Sequence, residues 1–451
     1  MAPAESGRMS ADRLLQQFFA GLPDHARGTF TLRVSAVGLE FIALLVLARV
    51  LDAEAYGSYA LAMTLVAIFA VPAAVGFDRL VVRELAACNA LGDWPHAHGL
   101  LRQGMLIVIA ASGAAAVATW ITGRLVLRPG ALDASRAILL ASMLVPLLAL
   151  ARLRQAALQG LGHVTAGLAP EFLVQPAIVI FLAVTLTLAP EIPRSATLAV
   201  GFQFAAAAAA LVLGAWTLRR RMPARIRDAA PSYRTRAWWN AGIAFMALVL
   251  MTTVLTSVDT LLVGRLNGHA EAGTYKVASQ LAMLVGLPLT AISVAMAPVI
   301  AALHVSGRVE ELRVRSRAAA RIIAAAAAAV ALAVAVAGPW ILAAFGQEFA
   351  AGYVPALILA AAYLVHSAMA TSGYLLIMTA HEGVVMVAFA AGAALNILGG
   401  LVLIPGFGLI GAAVSSAVSL CLVSILCAIL ARKKLGIDAT VFASLRGTTP
   451  A

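Results

Sequence analysis

Val46-Leu47-Ala48-Arg49-Val50-Leu51-Asp52-Ala53-Glu54-Ala55-Tyr56-Gly57-Ser58-Tyr59 and Leu262-Val263-Gly264-Arg265-Leu266-Asn267-Gly268-His269-Ala270-Glu271-Ala272-Gly273-Thr274-Tyr275 are two versions of one pattern. At a constant offset of 216, Arg49 matches Arg265, Gly57 matches Gly273, Tyr59 matches Tyr275 and Pro72 matches Pro288; Glu54 and Glu271 correspond after a slip of one residue. Each version sits where one apolar run gives way to the next, so each reads as the tip of a helical hairpin. The second helix would begin at the Gly-x-Tyr, with the ring at a membrane interface. The matched prolines fall inside the following runs, where they interrupt the hydrogen-bond ladder.

Working outward, apolar stretches of the ~20 residues needed to cross a bilayer fall near 29–51, 57–77, 103–127, 134–151, 166–189, 196–218, 238–264, 272–303, 318–343, 353–378, 383–404 and 408–431. The fourth is short and the eighth is long enough to tilt or project. Composition agrees: 62% of the 451 residues are hydrophobic and 12% charged, with a mean hydropathy of +0.96. A soluble domain carries roughly 25% charged residues. The predicted fold is all-α and membrane-integral, with about twelve spans in two six-helix lobes. The segments are 1–26, an N-terminal lobe 27–218, a basic linker 219–236, a C-terminal lobe 237–431 and a tail 432–451. An even number of spans per half makes the halves parallel repeats about an axis along the membrane normal.

A net charge of +12 suggests nucleic acid at first sight, but the arginines lie in short loops and no soluble domain carries a basic stripe. With the N-terminus inside, 25 of the 32 Lys+Arg fall on one side and seven on the other. The positive-inside rule then places both termini in the cytoplasm. Cys88, Cys421 and Cys427 form no CxxC pair, so neither a disulfide framework nor a zinc site is expected. No metal or cofactor motif is present, and Ser10 to Phe19 reads as a short capped amphipathic helix on the membrane surface rather than part of a signal peptide.

Several segments resemble the polysaccharide (O-antigen type) flippases of the multidrug/oligosaccharidyl-lipid/polysaccharide exporter superfamily. They are Leu47 to Leu51 with Tyr56-Gly57-Ser58-Tyr59; Gly76-Phe77-Asp78-Arg79 with Val82-Arg83-Glu84; Leu158 to Gly162 before Pro170-Glu171; Asp259 to Leu266; Phe345 to Phe349; and Asn396-Ile397 followed by Leu403-Ile404-Pro405-Gly406-Phe407-Gly408 and Gly411-Ala412-Ala413. Asp52-Ala53 departs from the Gly-Pro common in the family's first turn. The likeness runs through nearly the whole chain in order. It implies two lobes that open alternately to either face, and an undecaprenyl-diphosphate-linked oligosaccharide as cargo. It also implies residence in a bacterial inner membrane, with a polysaccharide polymerase or export machinery and membrane lipids as partners.

A diphosphate and its sugars cross hydrocarbon only along a path of cations and hydrogen-bonding groups, because each unpaired buried polar group costs about several kcal/mol. Ionisable residues within spans are the default candidates. Glu40 lies mid-span, with Arg33 about two turns away on the same face. Asp259 and Lys276 flank the Asn267-Gly268 turn at similar depth, as an expected ion pair, and Gln280 lies one turn beyond Lys276. Arg79, at the end of the second span beside Asp78, is a candidate for phosphate capture or for an interfacial ion pair. The substrate-binding candidates are therefore Arg33, Glu40, Arg79, Asp259, Lys276 and Gln280. Glu171 reads as solvated near the cytoplasmic end, Gln175, Gln203 and Asn396 as sugar contacts or helix-packing groups, and His366 as a satisfied core histidine. An ion-coupled multidrug antiporter of the same superfamily would recruit Glu40 and Asp259 instead. A polyprenyl-sugar-dependent glycosyltransferase or polymerase would need a large outer loop, and every outer loop here is short.

Overall fold

The computed structural model describes residues 24–126, 132–189, 191–379, 381–438 and 440–441; the expected surface helix at Ser10 to Phe19 lies outside them. The first half contains α1 (Asp24–Val50), α2 (Ala53–Ala74), α3 (Phe77–Leu91), α4 (Trp94–Val126) and α5 (Leu132–Gly160). It continues with α6 (Val164–Ala169), a π-helical turn (Pro170–Val174), α7 (Gln175–Thr187) and α8 (Ala196–Arg221). A short α9 (Ala224–Asp228) lies in the linker. The second half contains α10 (Thr235–Leu266), α11 (His269–Met283), α12 (Leu287–Val305) and α13 (Val309–Phe345), then α14 (Tyr353–Met369), α15 (Thr371–Met378) and α16 (Glu382–Leu435).

Among the described residues, eleven helical stretches are long and apolar enough to span a membrane. The last of them, α16, is two arms. Gly408 sits at φ 55, ψ −131, and a Cβ on Gly411 would lie 2.3 Å from the Leu403 carbonyl oxygen, so the chain doubles back there and makes a twelfth crossing. One correction concerns the fourth span, expected to be short: the helix continues to Gly160, carrying Arg152 and Arg154 into the bundle rather than leaving them in a loop.

Lipid-facing and core-facing sides separate as a bilayer requires. Leu106, Phe181, Trp216, Leu332, Trp340 and Val402 are exposed on the perimeter, whereas Tyr56, Tyr275, Phe77, Phe345 and Phe349 are fully buried. Within the first half α5 packs on α2, α4 and α8; within the second, α16 packs on α10 and α14.

The halves meet along α2, which lies against α10 and α11. Three glycines of α10 and α11 and two at the ends of α2 make that contact. A Cβ on Gly57 would stand 1.8 Å from the His269 carbonyl oxygen, and one on Gly273 3.0 Å from Gly57 Cα. At the other end of α2, a Cβ on Gly76 would meet the Gly242 carbonyl oxygen at 2.1 Å. Gly264 similarly receives the Leu61 side chain. At the end of α2 away from the linker, the far face, side chains complete the closure of the seam: Ser58 Oγ lies 2.9 Å from His269 Nδ1. Arg49 Nε and Nη2 donate to the carbonyls of Ala344 and Ala343 at the C-terminal end of α13, at 2.5 and 3.3 Å. Those carbonyls have no partner within the helix, and a cation there also opposes the helix dipole. Phe41 and Phe345 stack edge to face at 5.4 Å across the same seam.

The linker is fastened to the first half. Ser232 N donates to the Pro95 carbonyl, His98 Nδ1 bonds the Ala229 carbonyl at 2.7 Å, and Ser232 Oγ lies 3.1 Å from His96 Nε2. His96 in turn bonds Asp93 at 2.8 Å, which holds the Asp93 carboxyl below its ordinary range.

Closure of the far face through Gly57 gives a direct test. Gly57→Val should part the halves there and raise the reactivity of a cysteine placed at Ser58 toward an impermeant maleimide, in a chain whose three native cysteines are replaced. Unchanged labelling would show that this contact does not close the face.

Candidate functional site

Tyr59 and Tyr275, the repeat-matched tyrosines, are not interfacial rings. Both are buried, because the hairpin tips pack on one another instead of facing headgroups. Each hydroxyl enters a polar network of its own half. In the first half Gln203 Nε2 donates to Tyr59 Oη at 2.9 Å, and Gln175 Nε2 donates to Gln203 Oε1 at 3.3 Å. In the second, Tyr275 Oη donates to Asp259 Oδ2 at 2.7 Å, as does Ser416 Oγ at 2.7 Å, and Thr260 N donates to Asp259 Oδ1 at 2.8 Å.

The structure therefore corrects the expected ion pair. Asp259 is buried and met by hydroxyls, and among the described residues no salt bridge joins it to Lys276. Lys276 is half-buried on α11, within electrostatic reach of two carboxylates, Asp259 of its own half and Glu40 of the other. Glu40, exposed on α1, also acts electrostatically on Tyr59. The Tyr59–Gln203 pair and the Tyr275–Asp259 pair are thus each hydrogen-bonded, and Glu40 of the first half is within electrostatic reach of Tyr59 and of Lys276 of the second.

Other candidates fall elsewhere. Arg33 is exposed on α1 two turns before Glu40, and Gln280 is half-buried one turn beyond Lys276. Arg79 is exposed at the start of α3 and forms no salt bridge with Asp78 among the described residues. Asp78 instead lines a small cavity with Arg152 and Gly76, and acts on the Arg152 guanidinium. Asn396 proves a packing group: its Nδ2 donates to the Leu255 carbonyl at 2.9 Å, and Ser415 and Ser416 both reach its Oδ1 at 3.2 Å. His366 is satisfied by Ser424 Oγ at 2.8 Å.

Glu171 is not solvated. It accepts from Arg154 Nη2 in a nearly buried ion pair, whose Arg154 also donates to the Gly167 carbonyl at 3.2 Å. The pair sits on the π-helical turn, and Gly214 leaves room for the guanidinium, since a Cβ there would lie 2.2 Å from Arg154 Cζ.

A compositional signal marks Lys276 as well. Of the 32 basic residues only Lys276, Lys433 and Lys434 are lysines, and the last two are exposed in the final turn of α16. An ammonium differs from a guanidinium in being a compact, strongly hydrated point charge. The seam thus holds the one lysine that lies amid the spans.

A family profile described as "Polysaccharide biosynthesis protein" matches residues 28–304. The chain belongs to that family. A second profile, MatE, matches residues 244–384. No curated protein matches the chain. Among solved structures, an inward-facing multidrug resistance MATE family transporter of the MOP superfamily is similar with a TM-score of 0.74 and 12% identity, over 90% of this chain and 98% of that one. A MOP superfamily transporter from Pyrococcus furiosus has a TM-score of 0.65 and 10% identity, over 93% and 97%. The lipid II flippase MurJ, in an inward closed conformation, has 0.63 and 12%, over 89% and 86%. This member of the polysaccharide biosynthesis protein family is a multi-pass membrane protein with the MOP-superfamily transporter fold.

Breaking the Arg154–Glu171 pair on one side strands the other charge, at a cost of about 3–5 kcal/mol. Arg154→Met and Glu171→Leu should each lower the thermal unfolding midpoint clearly, while the double variant should lose less than the sum. Additive losses would mean the two groups do not support one another.

Proposed function

We propose that this protein flips a polyprenyl-diphosphate-linked oligosaccharide across a bacterial inner membrane. The cargo would be taken at the linker face and released at the far face by alternate opening of the two halves. The observation that carries the reading is Lys276: the only lysine amid the spans, on α11 where it packs on α2 of the other half, and joined by no salt bridge to either nearby carboxylate among the described residues. A cation so placed matches a diphosphate. Tyr59, Gln203, Gln175 and Gln280 supply hydrogen-bonding groups for hydroxyls, and Glu40 and Asp259 flank the ammonium. The lobes 27–218 and 237–431 would rock about the closed α2 seam, with the linker travelling with the first half. The distribution of basic residues, 25:7 from the sequence and 23:7 once Arg152 and Arg154 are placed in the bundle, supports a cytoplasmic linker face. Arg33 and Arg79, exposed nearer that face, would guide the headgroup inward. Membership of a polysaccharide biosynthesis family and a fold shared with the lipid II flippase MurJ support the choice of cargo; a polymerase or export machinery would then receive it.

A second reading, an ion-coupled multidrug antiporter, is favoured by the buried carboxylate of Asp259 and by the MatE match over 244–384. The two readings part on the sign of the cargo.

Wild-type protein in proteoliposomes should flip a fluorescent undecaprenyl-diphosphate-linked oligosaccharide. Lys276→Ala should slow it about ten- to a hundredfold, as loss of a charge-assisted hydrogen bond of ~1.5–3 kcal/mol requires, and Glu40→Gln should alter the rate less. Export of a cationic dye down a proton or sodium gradient, with no flipping of any lipid-linked glycan, would overturn the proposal in favour of the antiporter.

A further inference from the structure

The ammonium of Lys276 lies near two carboxylates and is joined to neither by a salt bridge among the described residues, and the structure contains the reason. Tyr275 and Lys276 are consecutive on α11, so their side chains diverge by about 100° around the helix axis. Tyr275 points at Asp259 and donates to Oδ2 at 2.7 Å. Ser416, from the second arm of α16, donates to the same oxygen at 2.7 Å, and Thr260 N takes Oδ1. Three donors converge on one buried carboxylate and spread its charge into hydrogen bonds. Ser416 Oγ also lies 3.2 Å from Asn396 Oδ1, but its single proton takes the shorter bond to Asp259, and the Asn396 amide is tied to the Leu255 carbonyl of α10. A buried carboxylate deprived of such donors turns to the nearest cation, because an unpaired charge there is costly. Lys276 is a cation within electrostatic reach of Asp259.

We propose that Tyr275 and Ser416 are positioning residues: their hydroxyls occupy the Asp259 carboxylate and so keep the Lys276 ammonium free to bind a phosphate-bearing ligand at the seam. The identity of that ligand rests on the flippase reading; the division of partners between Asp259 and Lys276 does not.

Two measurements test the inference and separate it from the cargo assignment. The first uses no cargo. Replacing Lys433 and Lys434 by arginine leaves Lys276 as the sole lysine, and reductive methylation with 13C-formaldehyde gives it one NMR signal in nanodiscs, assigned by its loss in Lys276→Arg. Tyr275→Phe/Ser416→Ala should move that signal as the ammonium pairs with Asp259, and adding Asp259→Asn should return it. A signal at one position in all three backgrounds would overturn the inference. If the double variant fails to fold, Ser416→Ala alone should move the signal in the same direction by a smaller amount.

The second measurement is flipping of the fluorescent lipid-linked glycan. Tyr275→Phe/Ser416→Ala should raise KM about tenfold with a smaller effect on kcat, the pattern of lost binding rather than lost turnover. Asp259→Asn in that background should restore KM, whereas a merely structural defect would not be rescued by removing a further hydrogen-bond partner. Failure of that rescue in folded protein overturns the inference. An NMR signal that moves and returns as expected, in a protein that flips no glycan, upholds the positioning role and rejects the cargo.

Discussion

Everything at the seam depends on how closely α2 can approach α10 and α11. Lipid gives two helices no hydrophobic reason to associate, so their contact must come from packing, and packing at this range requires small residues. Gly57 against His269 and Gly273, and Gly76 against Gly242, bring backbone onto backbone with no room for a methyl group. Around the first of these contacts the Arg49 cap on α13, the Ser58–His269 hydrogen bond and the Phe41–Phe345 pair close the far face. Glu40 and Lys276, on opposite halves, come within electrostatic reach of one another across this contact.

The repeat built the scaffold and left the chemistry to diverge. At an offset of 216, Gly57 and Gly273 meet near the axis between the halves, and Tyr59 and Tyr275 each anchor a buried network. The charges do not repeat: the counterparts of Glu40, Asp259 and Lys276 are Thr256, Ala43 and Ala60. A symmetric frame with asymmetric charge suits a protein whose two halves make different demands on a cargo. In the first half the tyrosine is met by the neutral amide of Gln203, which Gln175 supports in turn; in the second it is met by a carboxylate. The first half instead spends its buried ion pair on the π-helical turn, where Arg154 and Glu171 brace a span interrupted by Pro170 and Pro176.

Most of the architecture was legible from periodicity, because a bilayer demands long apolar runs and the chain supplies them. The twelfth crossing was also legible at Pro405-Gly406-Phe407-Gly408, where the runs divide, although the two arms are nearly continuous as helix. The site was legible in part. Glu40, Asp259 and Lys276 stand out because charge within a span is costly, and the structure does bring them together. Their pairing was not legible. Asp259 and Lys276 are at equal distance from their turn and of opposite sign, so one-dimensional spacing makes them partners. Spacing carries no information about which way a side chain leaves its helix, and Tyr275, one residue away, leaves toward Asp259 instead. The same limit explains Arg154 and Glu171, which sequence position puts near water and an extended α5 carries inside.

The sequence by itself therefore determined a two-fold repeated, membrane-spanning, all-helical chain, since hydropathy, the positive-inside bias and the 216-residue offset are properties that survive without coordinates. It also singled out the charged residues that a bilayer would not tolerate without a reason. Only the tertiary structure decided which of them meet. Ser416 lies 157 residues from Asp259, and Glu40 belongs to the opposite half from Lys276. Groups so far apart in the chain become neighbours through helix packing, and short-range hydrogen bonds then decide which charge is satisfied and which is left for a ligand.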